Sequence, residues 1–376
     1  MIKIGITGQA GFVGTHIFNT LGLNPEKYER ISFEDSFFKT AELLDVFVSQ
    51  CDVIIHLAAM NRHNDPQVIY DTNVGLVTSL IASLERTKST AHVLLSSSIQ
   101  EERDNLYGKS KKDGRLLLEK WATDKGGKST GLIIPNVFGP FGHPYYNSVV
   151  ATFSHQLAHG ETPKIEVDGQ VKLIYVGELV AVILKEIEEG ITRAAAIKKV
   201  EIESTSEKKV SELLGLLENY KKQYQDNGEI PVINNTFELN LFNTFRCYMD
   251  IKNRFPVKFT QHTDPRGSFV EVIRLGVGGQ VSFSTTVPGI TRGNHYHTRK
   301  IERFAVIKGK ALIQLRRIGT DEVLDFYLDG NEPSYVDMPI WYTHNIKNIG
   351  DEILYTNFWI NEFYDVNDPD TYFENV

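Results

Sequence analysis

Apolar positions in the first half of the chain come in short runs, separated by longer stretches with helical spacing. The runs are IKIGIT (2–7), CDVIIHLAA (51–59), AHVLLSSS (91–98) and STGLIIPNVFG (129–139). Runs this short, nearly free of polar interruption, read as strands buried on both faces. Between them, apolar residues recur at helical spacing, as Phe12, Val13, Ile17 and Phe18 do. Strands alternating with helices predict an α/β, doubly wound parallel sheet with helices on both faces. A further helix over SEKKVSELLGLLENYKKQY (206–224) is expected to close this first domain.

The rhythm changes near residue 250. Strand-like runs become short and close together: GSFVEVIRL, GQVSFSTTV, ERFAVIKGKALIQLR, VLDFYL and EILYTNFWI. Turn signals such as DPRG, VPG and LDGNEP divide them. This predicts an all-β barrel or sandwich, with Gly309 closing a hairpin. The expected division is therefore residues 1–252 and 253–376, with the join inside 225–252 and no long linker.

Composition narrows the functional classes. The 376 residues are 41% hydrophobic and 23% charged, a globular balance. A formal net charge of −8 argues against a nucleic-acid partner, because phosphate neutralisation needs clustered cations. The basic run at Lys109, Lys111 and Lys112 is short enough to be a solvated helix face. Two cysteines, Cys51 and Cys247, give no disulfide framework and fit a reducing cytoplasm. No apolar run is long enough to span a membrane, and IKIGIT running straight into glycines does not read as a signal peptide.

The first strand leads into Gly8, Gly11 and Gly14, spaced G-x-x-G-x-x-G, and then into a helix. A dinucleotide site needs that order: one glycine for the tight turn, one for close approach to a pyrophosphate, one for helix–strand packing. The helix N-terminus offers free N–H groups to the phosphates. Three glycines alone are weak; the strand before and the helix after give them meaning. Further on, LLSSS (94–98) ends a strand and Tyr107-Gly-Lys-Ser-Lys111 follows. Tyrosine and lysine at i and i+4 share a helix face, where the cation favours a phenolate and readies the tyrosine for proton transfer. In isolation such a pair is an ordinary surface feature; after a dinucleotide fingerprint and a serine-ended strand it reads as catalytic.

These pieces, with HLAAMN, the TNV of 72–74 and PNVFGP, make the first 250 or so residues resemble the extended short-chain dehydrogenases/reductases. The resemblance implies that Tyr107 exchanges the proton, Lys111 assists it, and Ser98, or its neighbour Ser97, holds the substrate oxygen. It also implies that Gly8, Gly11, Phe12, Val13, Gly14 and Ala58 line the cofactor together with Tyr107 and Lys111. Two features depart from the family: the serine-to-tyrosine insert is only eight residues (99–106), and LIIPNVFG lacks an arginine before its proline. After the second strand, in YERISFEDS (28–36), Glu34 or Asp35 would suit a ribose 2′-hydroxyl, while Arg30 would suit a 2′-phosphate. The residues leave NAD and NADP both open.

In the second half, RGNHYHTRKIERF (292–304) places His295 and His297 two apart, on one face of a strand, with Glu302 beyond. PIWYTHNIKN (339–348) adds His344. Three imidazoles and a carboxylate suit a divalent metal, zinc first, with iron, nickel or manganese also compatible. H-x-H-x4-E-x6-G followed by P-x4-H-x3-N resembles both motifs of the cupin superfamily, with Trp341 where glycine is usual. DPRGSFVEVIR (264–274) and GQVSFSTTVPGITRGNHYH (279–297) resemble its sugar-nucleotide 3,5-epimerase branch. That branch implies that His295 removes a proton beside a ketone, with Arg292 near it. Since His297 stands where the branch has glutamine, His295 is left as either base or metal ligand.

Both halves in this order resemble the bifunctional capsular-polysaccharide enzymes of N-acetyl-L-fucosamine synthesis, down to the terminal NDPDTYFENV. The resemblance implies a zinc-bearing cupin that epimerises carbon 3 of a UDP-linked 2-acetamido-4-keto-6-deoxy-L-hexose. It implies an NADP(H)-dependent reductase that then converts the 4-ketone to UDP-N-acetyl-6-deoxy-L-talosamine. A homodimer covering exposed edge strands is expected. The rival reading is a 4,6-dehydratase or 4-epimerase beside a non-catalytic cupin that binds sugar or dimerises.

Overall fold

Contacts along the chain separate it into two units, residues 1–149 with 169–209, and residues 150–168 with 210–376. The computed structural model describes every residue except 265, 266, 271 and 277, and only the backbone of 262–264 and 267–270.

In the first unit, strands and helices alternate: β1 (Ile2–Thr7), α1 (Phe12–Leu21), β2 (Tyr28–Ile31), α2 (Ala41–Gln50), β3 (Val53–His56), α3 (Pro66–Thr87), β4 (His92–Ser98), α4 (Leu106–Lys125), β5 (Lys128–Ile134) and β6 (Asn136–Phe138). α5 (Val149–Ala158) leads into the second unit. The first then resumes with β7 (Gln170–Tyr175), α6 (Val176–Thr192), β8 (Ile197–Glu201) and β9 (Ser206–Lys209). Six parallel strands lie in the order β2-β1-β3-β4-β5-β8. The order reverses between β1 and β3, so a crevice opens at their carboxyl ends, where α/β sheets bind ligands.

Side-chain alternation gives the sheet two cores. On β4, Leu94 joins one face with Ile4, Ile6, Ile17 and Ile183, while Val93 and Leu95 join the other with Phe47, Leu80 and Trp121. Each such side chain, once fully buried, contributes ~1.5–3 kcal/mol. The run 129–139 is not one strand. Pro135 has no N–H for the ladder, so β5 ends at Ile134, and β6 pairs with β7 in a separate sheet, β6-β7-β9.

The second unit carries α7 (Val210–Tyr220), a wider helical turn over 221–226, α8 (Thr236–Arg246) and α9 (Ile251–Arg254). Ser206–Lys209, grouped by its sequence with this helix, is instead strand β9 of the first unit. The β elements follow: β10 (Val257–Lys258), β11 (Gln261–Asp264), β12 (Gly267–Val270), β13 (Gln280–Thr286), β14 (Thr291–Tyr296), β15 (Glu302–Lys308), β16 (Lys310–Arg317), β17 (Val323–Asp329), β18 (Ser334–Met338), β19 (Tyr342–Asn348), β20 (Leu354–Ile360) and β21 (Tyr372–Phe373). Two five-stranded antiparallel sheets form, β10-β18-β15-β20-β13 and β17-β16-β19-β14-β21, in a cupin-like all-β fold. Ala305, Val306, Val336 and Leu354 of the first meet Ile313, Leu315, Phe326 and Ile346 of the second in one core.

Gly309 does not close a hairpin. β15 pairs with β18 and β20, whereas β16 pairs with β17 and β19, so Gly309, at φ +86°, carries the chain from one sheet to the other. The helical stretch 210–254 packs on the barrel through a buried polar knot. Arg303 makes a two-pronged ion pair with Asp337, whose second oxygen also accepts from the Tyr224 hydroxyl at 2.6 Å. Arg246 donates to that hydroxyl and to the Met338 carbonyl. Among the described residues, no helix is long and apolar enough to cross a membrane.

Candidate functional site

The glycine loop after β1 is closed on itself. Gly8 has φ +73°, a left-handed conformation that favours glycine, and a Cβ there would stand 2.9 Å from the Ala58 nitrogen in the loop after β3. A Cβ on Gly14 would lie 2.3 Å from the Gly8 carbonyl oxygen, so any side chain there would push α1 off the loop. Gly11 caps α1 with no side-chain hydrogen bond, and Phe12 and Val13 form its first turn. The arrangement fits a dinucleotide: backbone N–H groups of a helix start, unshielded by side chains, face the crevice between β1 and β3. Phe33 N–H donates to Gln9 Oε1, tying the loop to the end of β2. Beyond that end, Glu34 caps the turn Asp35–Lys39, while Arg30 packs on the Phe18 ring at 4.4 Å and donates to the Phe18 carbonyl.

Tyr107 and Lys111 lie on α4, which Asn105 caps by accepting from Gly108 N–H at 2.7 Å. The last two serines of β4 part ways. Ser97 donates to Glu101, which is held in turn by Arg115 on α4. Ser98 stands near enough to the Tyr107 hydroxyl to influence it. Burial pushes the Tyr107 phenol up to about 12, against the smaller downward pull of Ser98. Lys111 is buried, donates to the Ser96 carbonyl at 3.0 Å, and stands 5.9 Å from the Tyr107 ring centre. Burial pulls its ammonium down to about 8. A tyrosine that keeps its proton is suited to donate one, the role required when a ketone is reduced.

The short serine-to-tyrosine insert is accommodated by close packing that the pattern of residues did not reveal. A Cβ on Gly108 would fall 1.9 Å from the Gln100 carbonyl, so the turn over 99–102 sits directly on the start of α4. The buried Glu101–Arg115 ion pair, unforeseen because both residues read as surface charges, locks that turn. Asn73, in the TNV stretch, bonds both backbone groups of Met60 and the Ser110 hydroxyl, fixing the loop after β3 against α4.

In the second unit His295, His297, Glu302 and His344 come together, with one ligand atom of each within 4.8 Å of the others. His295 is on β14, opposite His344 on β19. An irregularity between Gly293 and His295, with Asn294 at φ +60°, locally bends β14. His297 follows the strand and Glu302 opens β15. His297 Nδ1 donates to the Asp370 carbonyl and His344 Nδ1 to the Tyr342 carbonyl. Both Nε2 lone pairs therefore face Glu302 Oε2, at 3.0 and 3.2 Å, and all three atoms are buried without a hydrogen-bond partner. Three lone-pair donors aimed at one another repel unless a cation lies among them, so the set fits a divalent metal. Burial drives His295 down to about 4, keeping it neutral.

Trp341 stands at a glycine position of the second cupin motif, and its backbone shows why glycine is usual there: φ is +62°. Its ring stacks on Tyr296 at 5.6 Å and its N–H donates to the His297 carbonyl, contacts that offset the strain. Arg292 is exposed on β14 and donates to the Thr285 carbonyl. Pro265, Arg266 and Glu271 of the upstream epimerase-like stretch lie outside the described residues.

The NAD dependent epimerase/dehydratase family matches residues 4–195, and a polysaccharide biosynthesis C-terminal domain matches 262–372. UDP-2-acetamido-2,6-beta-L-arabino-hexul-4-ose reductase of Pseudomonas aeruginosa is 31% identical over 99% of this chain and 98% of its own. The capsular polysaccharide assembling protein CapF of Staphylococcus aureus, a crystal structure, is 34% identical over 100% of both chains, with a TM-score of 0.61. UDP-glucose 4-epimerase of Thermotoga maritima, 19% identical over 66% of this chain and 98% of its own with a TM-score of 0.54, shares the fold.

Proposed function

We infer the function from a premise the comparisons establish: the chain belongs to the NAD dependent epimerase/dehydratase family and, end to end, to the CapF group that adds a polysaccharide-biosynthesis domain to it. It acts in two steps on a UDP-linked 2-acetamido-2,6-dideoxy-4-keto-L-hexose. Residues 253–376 invert carbon 3, and residues 1–252 reduce the 4-ketone with NADPH. The product is UDP-N-acetyl-6-deoxy-L-talosamine, a precursor of UDP-N-acetyl-L-fucosamine for surface polysaccharide. The observation that carries the reading is Tyr107 beside Ser98 and one helical turn from buried Lys111, in a chain alignable throughout with a 4-ketosugar reductase.

NADPH, when bound, would supply the hydride, and a divalent metal such as zinc, held by His297, Glu302 and His344, would supply positive charge to stabilise an enolate. The chain's own groups do the rest. Ser98 and Tyr107 hold the 4-keto oxygen, and Tyr107 gives it a proton as hydride arrives. Lys111, cationic below about pH 8, eases that transfer. In the barrel, His295, neutral near pH 7, either takes the proton from carbon 3 or holds zinc with His297, Glu302 and His344. The order follows from chemistry: a 4-ketone acidifies the carbon 3 proton, and its reduction then fixes the new stereocentre.

The protein works in the cytoplasm, in keeping with two free cysteines. A second copy covers strand β13, an edge that exposes Val281 and Phe283. Incubation with candidate UDP-4-keto sugars and NADPH, with products identified by NMR, tests the reading. Retained NAD with no consumption of added NADPH would favour the dehydratase or 4-epimerase alternative instead.

A further inference from the structure

The last residues of the chain hold the histidine cluster from outside. Asp370 is buried, and its carboxylate accepts four hydrogen bonds from one short loop. Oδ1 takes Thr298 N–H at 3.0 Å and the Thr298 hydroxyl at 2.6 Å; Oδ2 takes Arg299 N–H and Lys300 N–H, each at 3.0 Å. A carboxylate has about four lone-pair positions, so this one is fully used. The loop it grips, 298–301, is the connection between His297 and Glu302. Lys300, itself buried, donates its ammonium to the Pro369 carbonyl at 2.6 Å.

The same residue reaches a ligand directly. Asp370 adopts φ +39°, and its carbonyl accepts from His297 Nδ1. A carbonyl only accepts, so the proton of the neutral ring is on Nδ1 and the Nε2 lone pair faces Glu302. Just beyond, β21 pairs with β14, placing Phe373 opposite His295 and Tyr372 opposite Tyr296. The tail thus touches the strand of His295, the ring of His297 and the loop that leads to Glu302.

We propose that Asp370 is a positioning residue of this centre, setting the tautomer of His297 and the spacing of His297 from Glu302, and through them metal affinity. The proposal rests on reading the cluster as a metal site. A ligating imidazole whose other nitrogen is fixed by an acceptor keeps its orientation without the metal, and loss of such a partner weakens binding.

The test uses the full chain, stripped of metal and titrated with Co²⁺ and Zn²⁺ against a chelator. Asp370→Asn keeps the size but turns an NH₂ towards backbone N–H groups; Asp370→Ala removes the grip. Arg316→Gln, which breaks a tail anchor to Glu374 and Asn375 away from the cluster, controls for general loosening. We expect a ~10–100-fold loss of affinity in the Asp370 variants, with an altered Co²⁺ absorption spectrum, and little change in Arg316→Gln. Asp370→Glu is expected to restore part of the loss. Should Asp370→Ala fail to fold, Asp370→Asn decides alone. A folded Asp370→Asn with wild-type affinity and spectrum overturns the proposal, as does an equal loss in Arg316→Gln. Wild-type protein that takes up neither ion overturns the metal reading itself, a different result. Nitrogen NMR of the metal-free protein still reports whether His297 carries its proton on Nδ1.

Discussion

The two candidate centres are built from different materials. The crevice of the first unit is walled by backbone: a loop with no side chains at Gly8, Gly11 and Gly14 and an uncapped helix start. Its tyrosine–lysine pair comes from a single turn of α4. The cluster of the second unit is made of side chains from β14, β15 and β19 and the residue just after β14, oriented by backbone carbonyls at 342 and 370. A backbone site demands absences at fixed local spacing, and tolerates change elsewhere. A side-chain site on strands demands that distant residues keep register, so it is exposed to every slip in pairing.

That contrast is broken or sharpened by separating the activities. Tyr107→Phe removes the transferable proton and is expected to cut NADPH oxidation by ~10²-fold or more. Deuterium exchange at carbon 3 should persist, because the barrel is untouched. A variant that oxidises NADPH near the wild-type rate would remove Tyr107 from its role.

The reciprocal change comes next. His344→Ala takes away a buried ligand and should lower metal affinity by more than the ~10–100-fold that loss of a ligand's outer partner costs, while leaving NADPH oxidation of an already epimerised substrate intact. Metal content and carbon 3 exchange are measured together. Full exchange without metal would make the metal structural and His295 the base; His295→Ala that keeps both metal and exchange would end either role for His295.

A smaller effect tests the electrostatics of the first centre. Because burial holds Lys111 near 8, the reductase rate should fall as pH rises through about 8, roughly tenfold per pH unit well above it, as the cation is lost. Tyr107, raised to about 12, stays protonated across that range and does not account for the fall. Lys111→Arg should move this limb upward; an unmoved limb would assign it to another group.

The smallest change concerns the helices that accompany the barrel. Tyr224→Phe deletes one hydrogen bond to buried Asp337, and should cost ~1–3 kcal/mol because Asp337 and Arg246 lose a partner. Denaturant melts should show that loss with unchanged NADPH oxidation. A loss in reductase activity equal to that in exchange would argue that the two centres are not separable in this way.

Legibility followed the same division. The glycine turn, the tyrosine–lysine pair and the run His295, His297 and Glu302 are legible because each lies within about ten residues, where spacing alone fixes which face a side chain takes; His344 is legible through the separate P-x4-H-x3-N pattern. The motif favours Ser98 over Ser97 but does not explain the choice, which turns on Glu101 and Arg115, two charges that a sequence places on the surface. Strand β18 is not legible because its Asp337 interrupts an apolar run, and Arg303 on the neighbouring strand with the Tyr224 hydroxyl makes that carboxylate tolerable in a core.

Pattern along the chain is enough for the order of the two folds, the parallel sheet and its crevice, the α4 pair, and the four residues of the metal-type cluster. These rest on local periodicity and on residues whose chemistry is unusual wherever they occur. The fold settles which serine meets Tyr107, that Gly309 switches sheets, that Trp341 occupies a left-handed position, and that Asp370 reaches back to His297. Each of those depends on a packing partner that spacing does not specify, or on a backbone angle. Hydrogen bonds and close packing form between whatever the fold brings together, and linear spacing carries no record of them.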